Sequence, residues 1–218
     1  MDVVDLLARF RSDVRDTVQP YLWSDEEVLS YIDEAQNEFC RLTGGLADAT
    51  SFVTRVAVTT GEAFVDISPL ILKIRAIFAE DGKPIELKNF EDLEFSDSGG
   101  TELFADIPGT VRSAVLGMEP NKLKLINTPE ADQTINLIVY RLPLEAIEDT
   151  SSDLEVASQH HISLLLWARR LAHMKADAET YDRGRAQQFE QEFMAYCGLA
   201  RDEKGRREHK YRAVQFSW

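Results

Sequence analysis

The sequence predicts an α+β protein: a helical bundle formed by N- and C-terminal helix pairs, an inserted antiparallel β module, and an extended C-terminal arm. Three observations carry that prediction. Apolar residues recur every three or four positions at both ends of the chain, the period shortens to two in the middle, and the sign of the charge inverts near the C-terminus. The predicted boundaries are 1–45 and 146–202 for the bundle, 46–145 for the β module and 203–218 for the arm.

Val3, Leu7, Phe10, Val14 and Val18 stack as one stripe of a first helix, which Pro20 is expected to stop. Ser24 followed by Glu27 has the spacing of a capping box, and Trp23 with Val28 occupies the staple positions around it. The second helix should therefore start at Ser24, bury Val28, Ile32, Ala35, Phe39 and Leu42, and end at Gly44-Gly45.

From Ser51 to Pro143 the runs are β-branched and aromatic. Phe52–Val58 and Ala63–Ile67 read as a hairpin around Gly61, and Leu70–Ala79 and Pro84–Leu87 flank Asp81-Gly82. Thr110–Leu116, Lys122–Ile126 and Thr134–Tyr140 add three more strands, giving a six- or seven-stranded antiparallel module. Asn89 is placed to cap a short helix through Glu94, and Ser96–Gly100 reads as a polar surface loop. Beyond Pro143, Leu154, Ala157, His161, Leu165, Ala168 and Ala172 share one helical face, widened by Leu164 and Leu171. Asp177 is the expected cap of a last helix carrying Tyr181, Ala186, Phe189, Phe193, Tyr196, Cys197 and Ala200. Neither helix pair can bury its stripe alone, so the two pairs are expected to pack together.

The 218 residues carry 38 acidic against 24 basic side chains, a net charge of −14. Residues 201–218 hold +3 of this, leaving −17 on the body. A polyanionic body disfavours general attraction to nucleic acid or anionic lipid. The amino-terminal residues show neither a secretory leader nor a long apolar run, so no membrane crossing is expected. Cys40 and Cys197 stand apart from any metal or redox spacing and are expected as buried thiols.

Catalytic signatures are lacking: there is no phosphate loop, dinucleotide fingerprint, zinc-protease motif or nucleophile elbow. His160 and His161 diverge by ~100° on a helix, and His173 lies ~18 Å further along it, so they form no joint metal site. Carboxylate pairs such as Glu26-Glu27 and Glu102 with Asp106 are what chance provides among so many acids. No catalytic, cofactor or metal residue is assigned. The arm is different: Arg206, Arg207, Lys210 and Arg212 interleave with Tyr211, Phe216 and Trp218, a set suited to pairing with carboxylates and filling apolar pockets.

The run Leu22-Trp23-Ser24-Asp25-Glu26-Glu27-Val28-Leu29-Ser30-Tyr31-Ile32-Asp33-Glu34-Ala35 resembles the opening helix of tailed-bacteriophage head-to-tail adaptor (connector, neck) proteins. In the same order follow Leu125–Pro129, Ile138–Pro143, Leu164–Ala168 and Asp177–Asp182 with Ala186, Phe189 and Phe193. The resemblance implies a non-enzymatic virion protein made in the bacterial cytoplasm. It further implies a ring, about twelve copies in such families, below the portal and above downstream tail or neck proteins, with DNA passing through but not held tightly. An acidic wall would repel the phosphates, and the seven arm residues would contact the portal or a neighbouring copy. Two other readings stay open on composition alone. One is an acidic protein-binding regulator or nucleic-acid mimic, and the other is a carboxylate-dependent hydrolase of cell-wall glycans.

Overall fold

A computed structural model describes residues 1–92, 107–176 and 180–208. These form helices α1 (Val3–Val14), α2 (Asp25–Thr43), α3 (His161–Met174) and α4 (Arg183–Glu208). The strands are β1 (Leu46–Asp48), β2 (Arg55–Val58), β3 (Phe64–Asp66), β4 (Ile71–Phe78), β5 (Pro84–Asn89), β6 (Ser113–Leu116), β7 (Lys122–Ile126) and β8 (Gln133–Arg141). The chain divides into two compact units. One joins Met1–Gly45 to the described residues from Pro143 onward, and the other is Leu46–Leu142.

In the helical unit, α2 starts as its local chemistry dictates. Ser24 Oγ accepts the Glu27 backbone N–H, and the Glu27 carboxylate accepts the Ser24 N–H in return. The helix ends at Gly44, whose φ of +83° a side chain would strain. α1 is shorter than the sequence suggests. It stops at Arg15, in the left-handed region, and Val18 lies outside it, 77% exposed. The cause is a buried network that turns the chain early. The Arg11 guanidinium donates to the Asp16 and Asp25 carboxylates and to Trp23 O, while Asp16 accepts the backbone N–H groups of Leu22 and Trp23. That turn rotates the buried face onto Val3, Leu6 and Phe10, with Leu7 at its margin.

The C-terminal helices pack against the N-terminal ones through Phe10, Trp23, Val28, Ile32, Leu165, Ala168 and Ala172. Trp23 Nε1 also donates to Ala172 O at 3.2 Å. The helix expected to run from Leu154 begins only at His161, after a 3₁₀ turn over Ser158–His160. Residues 155 and 156 instead direct their backbone N–H groups to the buried Gln36 Oε1, at 2.9 and 3.3 Å, which a continuous helix would not allow. Likewise the cap of α4 is Asp182, whose carboxylate accepts the Arg185 N–H at 3.0 Å. Asp177 lies outside the described residues.

The β unit is an eight-stranded sheet in the order β1-β8-β4-β5-β6-β7-β3, with β2 also pairing β8. β8 organises it: Ile135, Leu137 and Val139 alternate into the core, where they join Val56, Ile74, Ile77 and Leu125. The Asp81-Gly82 hairpin forms as read, with Ile77 opposite Ile85. β1, three residues long, is additional to the strands read from sequence.

Three expectations fail here. Phe52–Thr54 coils into a 3₁₀ turn, and β2 and β3 do not pair with each other: β2 joins β8 and β3 joins β7. Their connection is drawn to the β7–β8 turn, where Asp132 accepts the Thr60 backbone N–H and hydroxyl and Pro129 O accepts the Gly61 N–H. The sheet is mixed rather than antiparallel, because β5 and β6 run parallel, Glu86 facing Ser113 through Asn89 facing Leu116. The long passage between these strands permits the crossover that a parallel pair requires. Finally, Asn89 is the last residue of β5, followed by one 3₁₀ turn over Phe90–Asp92. Glu94 and the Ser96–Gly100 loop lie outside the described residues.

Within the β unit, Asp48 and Arg141 form an almost fully buried ion pair, with side chains 6% and 10% exposed. Burial alone would raise the Asp48 carboxyl. The Arg141 guanidinium and the backbone N–H groups of Thr50 and Ser51 outweigh it and hold the group well below the usual carboxylate range.

Candidate assembly surface

α4 is 26 residues long, roughly 39 Å at 1.5 Å per residue. Its inner stripe, Ala186, Phe189, Phe193, Cys197 and Ala200, steps by three and four and ends on Lys204. Phe193 is fully buried, its ring centroid 5.2 Å from that of Trp167, and Phe189 stacks on His173 at 5.8 Å. Tyr196 packs against His160 and Phe39, its hydroxyl 2.9 Å from His160 Nδ1. Burial lowers the His160 pKa, which suits a ring in an aromatic cluster. His161 bonds the carbonyls of Met1 and Val156, and His173 Nδ1 lies 3.3 Å from Thr180 O. These histidines serve packing.

Lys204 closes the inner stripe with a polar contact. Its Nζ donates to Gly45 O at 2.6 Å and Thr43 O at 3.4 Å, placing a cation on the carbonyl end of α2. Residues 203–208, the beginning of the expected arm, are thus the last turns of α4, held down by that contact. Sequence reasoning gave Lys204 no special place among the basic residues. The available signal was its spacing four beyond Ala200, on the apolar stripe.

The outer stripe is Glu192, Ala195, Leu199, Asp202 and Arg206, all exposed, with Leu199 68% so. Arg206 has no ion-pair partner among the described residues, and Arg207 pairs only with exposed Glu203 one turn back. Two of the seven predicted contact residues therefore sit together, solvated, where α4 ends. Lys210, Tyr211, Arg212, Phe216 and Trp218 lie outside the described residues.

Among the described residues no cluster of His, Cys, Asp or Glu has the arrangement of a metal site, and no helix is long and apolar enough to cross a membrane. Glu27 is tied to Ser24 and Lys175, which lower its pKa, the Lys175 hydrogen bond foremost. Glu102 and Asp106 lie outside the described residues. Burial pushes the Cys197 thiol up to about 12, with Glu38 and Cys40 adding to it, so it is no nucleophile at neutral pH.

The end of α4 thus carries exposed Arg206 and Arg207, about two turns beyond exposed Leu199, on a protein whose net charge is −14. No curated protein matches the chain. A family model described as SU10 adaptor protein matches residues 1–214, nearly the whole sequence and both units. The chain therefore belongs to the SU10 adaptor protein family and is a structural adaptor of the phage virion.

Proposed function

We infer that this adaptor works as one subunit of a ring at the head–tail junction, seated below the portal, with tail or neck proteins on its other side and DNA passing through. The observation that carries the reading is the segregation of charge: −17 over the first 200 residues and +3 over the last 18. Copies with an acidic wall present phosphate with a repulsive surface, so DNA moves past without adhering. The same acidity would oppose close association of copies unless cationic ends met carboxylates. Arg206 and Arg207, exposed at the end of α4, begin that cationic end, and Lys210, Tyr211, Arg212, Phe216 and Trp218 continue it in sequence toward the portal or an adjacent copy.

The test is a native mass measurement of the purified chain, alone and mixed with the portal protein of the same genome. A stoichiometric multi-copy complex is expected with portal. Arg206→Glu combined with Arg207→Glu should abolish it while leaving the thermal unfolding of the isolated chain unchanged. A chain that stays monomeric beside assembled portal refutes the ring.

A further inference from the structure

β2 and β3 leave their connecting turn as the arms of a hairpin that never closes. β2 is bonded along one edge to β8 and β3 along one edge to β7. Among the described residues their other edges carry no backbone pairing, which leaves strand templates that proteins usually cover. Between them lies an open groove of about 360 Å³, walled by Phe52, Arg55, Ala57, Glu62, Phe64 and Asp66. Phe52, in the 3₁₀ turn that precedes β2, stands 73% exposed at the groove's rim.

The sequence beyond α4 has matching features. From Lys210 to Trp218 the order is Lys-Tyr-Arg-Ala-Val-Gln-Phe-Ser-Trp, in which Val214, Phe216 and Trp218 alternate with Ala213, Gln215 and Ser217. Period two with β-branched and aromatic residues on one side is the pattern of a strand with one apolar face. The groove's rim is mixed in charge, with Glu62 and Asp66 beside Arg55 and with Lys124 Nζ 4.9 Å from the Phe64 ring centroid, so the match rests on the alternating apolar residues rather than on Lys210 and Arg212. Ten extended residues reach about 33 Å, enough to lay four or five in a groove and still bridge from a helix end to another molecule.

We propose that the groove between β2 and β3 receives residues 209–218 of a second copy as an added strand. Main-chain bonding to an open strand edge supplies affinity, and Phe216 and Trp218 against Phe52 and Phe64 supply specificity. The proposal rests on the multi-copy reading above and gives the ring its subunit-to-subunit link: each copy donates its arm and accepts its neighbour's, a head-to-tail contact that closes by rotation.

Cys40 and Cys197 are buried, so introduced thiols can be cross-linked selectively. Full-length chains carrying Ala57→Cys and Gln215→Cys are prepared separately, mixed with portal, and treated with a short bismaleimide. Linked dimers of the two different chains are expected. A control in which Lys83→Cys, on the β4–β5 turn, replaces Ala57→Cys should give at least about tenfold less product. Phe216→Pro in the donor chain should reduce linkage about as much, since proline cannot donate to a strand ladder. An assembly of the right mass with no preference for position 57 over position 83 overturns the strand proposal and leaves the ring intact. Linkage of the Gln215→Cys chain only to portal also overturns it. Absence of any multi-copy species overturns both.

Discussion

Replacing Asp48 by Asn removes one charge from the buried pair that ties β1 to β8. The wild-type carboxylate accepts hydrogen bonds from the Arg141 Nε, from the backbone N–H groups of Thr50 and Ser51 and, at 3.5 Å, from the Thr50 hydroxyl. Asparagine retains one oxygen for the backbone groups but turns an amide N–H₂ toward the guanidinium. Arg141, 10% exposed, is then a buried cation facing a donor. Breaking a buried pair from one side costs about 3–5 kcal/mol, and retention of the two backbone bonds puts this variant near the lower figure, about 3 kcal/mol. The pH dependence follows from the lowered carboxyl. Its folded pKa lies below the ordinary 3.8, so the stabilisation is fully present above that value and is lost as pH falls toward the folded pKa. At pH 3 the wild type should already have lost about 1 kcal/mol that the variant never had. Urea unfolding followed by tryptophan fluorescence and circular dichroism, at pH 7 and pH 3, gives both numbers. A variant as stable as wild type at pH 7, or a stability gap that stays constant between the two pH values, refutes this account of the pair.

Phe193→Ala should cost about 3–5 kcal/mol, because the ring is fully buried between α3 and α4, and a calorimetric scan should show the helical unit melting earlier. Lys204→Ala removes the cation on the α2 carbonyl end and should cost about 1 kcal/mol in urea titration, whereas Lys204→Arg should keep most of it. Cys40 and Cys197 should resist an aromatic disulfide reagent at pH 8 in the native protein and react at once in 6 M guanidinium; fast native labelling would contradict their burial.

What could be read from sequence was what neighbouring residues decide among themselves. The Ser24–Glu27 capping box, the Gly44 stop and the Asp81-Gly82 hairpin are each settled within a few positions, and each stands where the pattern put it. The end of α1 was not legible because it depends on Arg11 reaching Asp25, across a turn that has no signature of its own. Nor were the partners of β2 and β3, which are chosen by the long β8 and by β7 rather than by the turn between them. The exposed basic pair at 206 and 207 announced itself by charge inversion. Lys204 did not, since its two acceptors lie in α2 and only the fold brings them near.

The pairing of Leu46 with Arg141 has a kinetic consequence. The β unit interrupts the helical one with an excursion on the order of a hundred residues, and holding the two ends of such an excursion together costs an open chain about 4 kcal/mol in closure entropy. Once β1 has zipped onto β8, the two crossing points are already neighbours and that cost has been met. Residues 1–45 and 143–208 then behave almost as a continuous polypeptide searching for its own partner. The interrupting sheet should therefore mature first, with consolidation of α1 and α2 on α3 and α4 as the later phase. Stopped-flow refolding should show β-type ellipticity and Asp48-dependent protection ahead of the burial of Trp23.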